Sequence, residues 1–326
     1  MLAKIEAAYG TDPTPTPANN VIAVKRNTIK FDPKFTHLMR DLADGSFGSV
    51  QGLNVLPQVG FSFSVEVRGN RTDGIAADIS SGSAAHAIEI DCLLQACDLA
   101  PIYTAETVLG ARNGYVIYQP VVPADQGKSV TFYFYSGLKL HKVVGAKGTC
   151  KISFQAGQMG VIDFSFKGMY VAPTDVAIST ITPTWLNTLP PVFTNTGSTI
   201  GAYSPVFSKM DFDLGLKVDV REDGNSVNGI AGFLITDRKP KVTIDPESVA
   251  EGTNPVWANL FSNASETVIG KIGTQGGNTV QLTVVAVSES VSYGDRSGIR
   301  TAQISLSVER ANVSDTPGSE VQLKFS

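Results

Sequence analysis

Between Lys147 and Pro173 the sequence reads KGTCKISFQAGQMGVIDFSFKGMYVAP, and its period of two leaves few folds open. Cys150, Ile152 and Phe154 alternate with Thr149, Lys151, Ser153 and Gln155. After a turn marked by Gly157 and Gly160, Ile162, Phe164 and Phe166 alternate with Asp163, Ser165 and Lys167. Successive side chains of a strand point to opposite faces, so the segment predicts a β-hairpin with one apolar and one polar face. The polar face is made mostly of small neutral side chains. Taken alone, that is the solvent side of an ordinary sandwich sheet.

A hydrophobic content of 42% with 17% charged residues argues for a folded chain, and 326 residues suffice for two domains or one large all-β unit. The 31 glycines and 17 prolines, with abundant Ser, Thr and Val, predict many strands and turns. A formal net charge of −4 excludes a global basic field that would capture nucleic acid. The opening MLAKIEAAYG has no apolar core of signal-peptide length, so a cleaved export signal is not expected. No run approaches the ~18–20 apolar residues that span a bilayer. Cys92, Cys97 and Cys150 form no framework and read as free thiols in a reducing compartment, packed as small core residues.

Residues 1–24 read as an N-terminal arm. Three prolines in TDPTPTPANN (Thr11–Asn20) remove backbone donors and favour extended chain, either a flexible tail or a segment that orders against a neighbour. Strands are expected at Thr28–Asp32 and Phe61–Val67, separated by the glycine-punctuated loop Asp41–Gln58. A helix is expected over about Ala84–Asp98, with Ser83 as N-cap and a core-facing stripe of Ile90, Leu93, Leu94 and Cys97. Strands follow at Gly114–Gln119 and Val130–Tyr135, before the hairpin. Residues 172–206, dense in proline and turn residues, read as a linker that packs in places through Trp185 and Phe193.

Beyond the linker the order begins again. KMDFDLGLKVDV (Lys209–Val220) corresponds to TIKFDP (Thr28–Pro33), and REDGNSVNGIAG (Arg221–Gly232) to the loop segment RDLADGSFGSVQG (Arg40–Gly52). KVTIDPE (Lys241–Glu247) takes the place of FSFSVEV (Phe61–Val67). A second helix is expected, with Asn254 as N-cap, Pro255 at its first position and a stripe of Trp257, Leu260, Phe261 and Ala264. Strands Thr279–Val287 and Ile299–Arg310 match the two arms of the hairpin. The recurrence predicts an internal duplication, with lobe 1 over 25–171 and lobe 2 over 207–326. The fold class is mainly β: two tandem β-sandwich or half-barrel lobes, each with one flanking α-helix.

Chemistry-bearing patterns are missing. His37, His86 and His141 are scattered without ligand spacing, and no G-x-S-x-G, P-loop or dinucleotide fingerprint occurs. DGNSVNG (Asp223–Gly229) departs from a calcium loop, with Val227 in place of an oxygen ligand and Leu234 in place of the bidentate Glu. Asp211 and Asp213 share a strand face without a third carboxylate or His nearby in sequence. The sequons at Asn70, Asn263 and Asn312 mean nothing without a secretory route. No catalytic residue, metal site or cofactor is expected.

Three stretches in order, MLAKIEAAYGTDPTPT (Met1–Thr16), GAKGTCKISFQAGQMGVIDFSFKGMYVAPTD (Gly145–Asp175) and FLITDRKPKVTID (Phe233–Asp245), resemble tail tube proteins of long-tailed, siphovirus-type bacteriophages. The resemblance covers essentially the whole chain and rests on structural motifs. It implies a non-enzymatic subunit that polymerises into stacked rings, the sheets of neighbouring copies joining edge to edge into a tube barrel around a lumen. Members with one copy of the fold form hexameric rings. Members with two fused copies form trimers of pseudo-sixfold symmetry, and this chain is similar to those. The implied partners are other copies of the chain, the tape measure protein, the tail terminator and distal tail proteins. Viral double-stranded DNA passes transiently and no membrane is involved. The implied location is the virion tail, assembled in the host bacterial cytoplasm.

Simple geometry agrees with that implication. Four strands from each of six fold copies, about 4.8 Å apart and tilted near 45°, close a barrel about 50 Å across. Inward side chains leave roughly 40 Å, enough for a duplex about 20 Å wide. The polar parity is assigned to the lumen: Thr149, Lys151, Ser153, Gln155, Asp163, Ser165 and Lys167 in the first copy. In the second it is Thr279, Gln281, Thr283, Thr301, Gln303, Ser305, Ser307 and Glu309, with Asp211, Asp213 and Asp219 on the adjoining strand. The opposite parity (Ile152, Phe154, Phe164, Phe166; Leu282, Val284, Ile304, Leu306) is expected to pack against each lobe's helix. The glycine-rich loops and the Pro-rich arm are expected to touch the next ring. A competing reading is a tandem β-sandwich surface adhesin, for which neither an export signal nor an exposed aromatic or metal site is visible. The tube of a phage-derived secretion or contractile particle would share the fold.

Overall fold

The alternating segments assemble into one long antiparallel sheet. The computed structural model describes residues 1–43, 47–48, 50–69, 88–104, 114–122, 127–176, 182–185 and 188–326. In chain order the first half contains β1 (Leu2–Ile5), β2 (Lys30–Arg40), β3 (Val50–Glu66), α1 (Asp91–Ala96), β4 (Leu99–Thr104), β5 (Tyr115–Pro120), β6 (Val130–Ser136), β7 (Lys139–Gln155) and β8 (Val161–Asp175). The second half adds β9 (Thr199–Ile200), β10 (Phe207–Asp213), β11 (Leu216–Glu222), β12 (Ile230–Arg238), β13 (Lys241–Pro246), α2 (Val256–Ser262), β14 (Ser265–Ile272), β15 (Val280–Arg296), β16 (Ile299–Val308) and β17 (Val321–Phe325). The fold is mainly β, as the period of two predicts.

Paired strands run β2-β3-β8-β7-β10-β13-β16-β15-β17-β5-β4, and β11–β12 forms a separate two-stranded sheet. The path β1-β6-β7-β8-β3-β2 recurs as β9-β14-β15-β16-β13-β10, with α1 lying between β3 and β6 and α2 between β13 and β14. The two sets join where β7 pairs with β10, and their buried side chains form one main cluster.

Aromatic rings fill the centre of the first set. Phe166 lies 4.8 Å from Phe132 and 6.0 Å from Phe63, ring to ring, and all three are buried. Burying one such side chain contributes about 1.5–3 kcal/mol. Gly148 sits opposite Phe166, where a Cβ would come within 2.4 Å of the ring, so the hairpin needs glycine there to hold its phenylalanine. Ile90, Leu93, Leu94 and Cys97 are buried, and α1 packs against β1, β4, β6 and β7.

Several boundaries differ from expectation. Helix α1 spans only Asp91–Ala96, while Ser83 and residues 84–87 lie outside the described residues. Helix α2 is capped at Pro255 rather than Asn254, without a side-chain hydrogen bond. Its stripe of Trp257, Leu260, Phe261 and Ala264 does not reach the core, and Phe261 is 82% exposed. The helix is two turns long and lies over the solvent-exposed part of β15, where Trp257 Nε1 donates to Tyr293 Oη at 2.9 Å.

The expected loop Asp41–Gln58 is largely strand. Residues 50–58 extend β3 and pair with β2 out to Arg40, forming a projecting hairpin on which Phe35, Leu38, Met39 and Leu53 are exposed. Its pairing shifts register twice, which breaks the alternation that would have revealed it. Arg221–Gly232 is likewise no long loop: it spans the turn Asp223–Gly229 between β11 and β12. Lys209–Val220 is two strands, because Gly215 turns the chain at φ +61°, where a Cβ would lie 2.1 Å from Lys239 O.

The N-terminal arm is docked onto its own chain. β1 pairs with β6, and Leu2, Ala3 and Ile22 are buried. The buried Glu6 carboxylate accepts from Ser129 Oγ and Thr131 Oγ1 at 2.6 Å and from Gly145 N–H at 2.7 Å. Tyr9 Oη donates to Gly145 O at 2.8 Å and accepts from Phe233 N–H at 2.6 Å, tying both halves to the arm. Asp12 accepts from Tyr133 Oη at 2.5 Å and Lys142 Nζ at 3.0 Å. In the connecting segment Phe193 is buried against Phe154 at 5.4 Å, whereas Trp185 is 53% exposed.

Candidate functional site

The feature with functional content is a polar face continuous across both halves. Antiparallel register places Ser64, Asp163, Lys151, Asp213, Lys241 and Ser307 in one row across β3, β8, β7, β10, β13 and β16. The next row over β7, β10, β13, β16 and β15 is Ser153, Asp211, Thr243, Ser305 and Ser290. The side chains one residue along, Ile162, Ile152, Phe212, Val242 and Leu306, are all buried. A shift of one residue anywhere along this path would exchange the two faces, so the buried row fixes the polar one.

The charges along the first row alternate. Lys151 lies between Asp163 and Asp213, and Asp213 lies between Lys151 and Lys241. Other lysines on this face are also engaged: Lys209 Nζ lies 2.6 Å from Asp211, Lys241 Nζ 2.7 Å from Glu289, and Lys167 Nζ donates to Val218 O at 2.7 Å. Ser64 Oγ donates to Asp163 and Ser153 Oγ to Asp211. The result is a hydrophilic face on which Lys209 and Lys241 are ion-paired and Lys151 is flanked in register by two aspartates. An open depression of about 360 Å³ between β10, β13, β15 and β16 is lined by Lys209, Asp211, Thr243, Asp245, Ser290 and Ser305, among others.

Of the residues assigned by polar parity, the structure brings together Thr149, Lys151, Ser153, Gln155, Asp163, Ser165, Lys167, Asp211, Asp213, Gln303, Ser305 and Ser307 on this face. Thr149 and Lys167 are partly covered by the β11–β12 hairpin, since Leu216 N–H donates to Thr149 Oγ1 at 3.2 Å. Gln281 and Thr283 share its parity, since Val287 pairs with Ser307, but lie further along β15, where β14 and β17 are the neighbours, and Thr279 is buried against Ser326. β15 is long enough to serve two neighbourhoods, and only its later half runs beside β16. Thr301 has the right parity but is buried, opposite Gly294. Asp219 sits on the separate β11–β12 sheet, where hydrogen bonds from Lys217 and Thr236 hold its carboxyl below the usual value. Glu309 is exposed just beyond the end of β16.

Sequence reasoning missed Ser62, Ser64, Lys241, Thr243, Ser290 and Ser292. The signal was present in FSFSVEV and KVTIDPE, whose alternation is the same as that of the hairpin beside which they pair. Among the described residues no three His, Cys, Asp or Glu side chains converge as metal ligands, and no helix is long and apolar enough to cross a membrane. Asp211 and Asp213 are occupied by Ser153 and Lys209 and by Gly215 N–H, respectively. Cys92, Cys97 and Cys150 are free thiols, and burial pushes that of Cys97 well up.

No curated protein is detectably similar in sequence. The family model described as phage tail tube protein matches residues 1–325, so the chain belongs to that family.

Proposed function

We propose that this phage tail tube protein forms rings of three chains that stack into a tube, with the continuous polar face lining a channel for viral DNA. Family membership makes the chain a structural component of the virion tail and points away from catalysis. The observation that carries the finer reading is the pair of polar rows running unbroken from one half of the chain into the other through β7 and β10. A wall past which DNA slides must not grip phosphates, because each lysine or arginine contact adds a salt-dependent hold. Lysines flanked in register by aspartates, among small hydroxyls, suit that requirement.

The recurring strand path supports treating 25–171 and 207–326, joined by β1 and β9 respectively, as equivalent lobes, so that three chains supply six fold copies. The projecting β2–β3 hairpin, with its exposed apolar side chains, is the element we assign to contacts between stacked rings, together with the β11–β12 turn. The stack would end on the tail terminator and distal tail proteins and be filled by the tape measure protein before DNA enters. Assembly would take place in the host bacterial cytoplasm. Negative-stain electron microscopy of the purified protein tests this reading. Rings and stacked tubes are expected, and isolated beads at all concentrations would overturn it.

A further inference from the structure

We propose that the seam joining the two halves within the chain is also the template for the seam between copies. In this arrangement β2 of one copy adds antiparallel to the open edge of β15 of the next, with Phe31 opposite Tyr293. This inference rests on the ring-forming reading above and gives it a register.

Two bare edges and one completed example carry the argument. Among the described residues β2 pairs only with β3 and ends the sheet. On β15, β14 covers one edge as far as Val287, while β16 pairs along the opposite edge to Arg296. Among the described residues, no strand pairs with the edge that β14 vacates beyond Val287. In the first half the equivalent strand is β7, where β6 stops at Ala146 and β10 then takes the same edge over Lys151–Gln155. β10 is itself the second-half equivalent of β2. The chain therefore contains one filled junction, β7–β10, and the two unfilled halves of a second.

The ladders fix the register. Phe31 faces Phe61, which faces Phe166; in the second half Phe212 faces Val242, which faces Leu306. Two residues along, Phe164 faces Cys150 and Ile304 faces Val291, which makes Ile152 and Tyr293 equivalent. Phe212 lies opposite Ile152 in the filled seam. Phe31 therefore falls opposite Tyr293, and Asp32 opposite Ser292.

Exposure agrees with this assignment. Phe212 and Ile152 are buried at 2% and 1% exposure in the filled seam, whereas Tyr293 is 49% exposed and Phe31 only half-buried. A bare antiparallel edge beside an exposed aromatic side chain is a template for strand addition, and a second copy supplies the matching strand. The two seams differ at one point. Leu214 N–H donates to Cys150 O at 3.1 Å across the filled seam, and Pro33 occupies the equivalent position in β2 without an N–H. The intermolecular seam is thus one hydrogen bond shorter.

The test is a cysteine pair, Asp32→Cys with Ser292→Cys, both at exposed positions. Assembled tubes are oxidised mildly and run on a denaturing gel without reductant. Covalently linked chains are expected with this pair, at least about tenfold more than with the displaced pair Asp32→Cys with Arg296→Cys or with either single variant. Amide hydrogen exchange of the unmodified protein is the second readout: 28–32 and 290–296 should gain protection of about tenfold or more on assembly. Tubes in which the displaced pair links better, or in which these amides stay unprotected, would overturn the register while leaving the ring-forming reading intact. Failure of the unmodified protein to form rings at all would remove both.

Discussion

Asp213 separates two lysines on the polar face, which makes Asp213→Lys a sensitive probe of that face. Its row neighbours are Lys151 and Lys241. Side chains directly opposed on an antiparallel pair lie about 5 Å apart. At that distance an exposed ion pair gains about 0.8 kcal/mol in water, and physiological salt leaves about half of it. Turning two attractions into two repulsions therefore costs about 1.5–2 kcal/mol. Asp213 Oδ1 also accepts from Gly215 N–H at 2.9 Å, and losing that bond costs about 1 kcal/mol more. Urea unfolding of the subunit should show a loss near 3 kcal/mol for Asp213→Lys. Asp213→Asn, which keeps an acceptor and adds no repulsion, should lose about 1 kcal/mol. The gap between the two variants should narrow as salt rises. In assembled tubes, Asp213→Lys should slow DNA passage, and the defect should ease with salt. A loss above about 5 kcal/mol that does not respond to salt would mean a carboxylate buried in the protein body, and would refute the face assignment.

Other consequences can be checked on the isolated subunit. Phe166→Ala should cost about 3–5 kcal/mol in urea unfolding, because the ring is fully buried among Phe63, Phe132 and Phe164. Gly215→Ala should cost about 1–3 kcal/mol, since it forces a side chain into positive φ against Lys239 O. Deleting residues 1–20 should lower the melting temperature sharply, because it strips β1 and the Glu6 bonds from the body; an unchanged melting temperature would show that the arm is dispensable to the fold. Burial pushes the Asp12 carboxyl up, but hydrogen bonds from Tyr133 and Lys142 outweigh it and hold the group below its usual value. Its stabilisation is therefore full above the unfolded carboxylate value of about 4 and is lost as pH falls through the lower folded value. Asp12→Asn should flatten that acid limb of the stability curve.

What the sequence made legible was whatever a period of two encodes directly. Cys150 through Phe166 gave the hairpin and its faces, and the same reading gave Asp211 and Asp213 their polar parity but set them beside the second copy's strands, without the pairing to β7. The matches of Lys209–Val220 to Thr28–Pro33 and of Ile299–Arg310 to an arm of the hairpin anticipated equivalent places in the recurring strand path. Alternation failed where one strand changes neighbours, as in β15: Thr283 and Ser292 lie on the same strand but beside different partners. It failed again where register shifts interrupt it, as in the outer half of β2–β3. Composition left the arm open between a flexible tail and a segment that orders against a neighbour, whereas Glu6 and Tyr9, held by partners more than a hundred residues away, dock it on its own chain. Such partners leave no local mark. The α2 stripe had helical spacing but no surface above β15 to bury it, which spacing alone does not reveal.

The central claim is that the polar rows of both halves line a channel closed by three chains. An image reconstruction of the assembled tube tests it most directly. The account predicts three chains per ring, a channel wide enough for a duplex of about 20 Å, and Lys151, Asp213 and Thr243 facing its axis. Six full-length chains per ring, or a wall that turns those side chains outward, would contradict it.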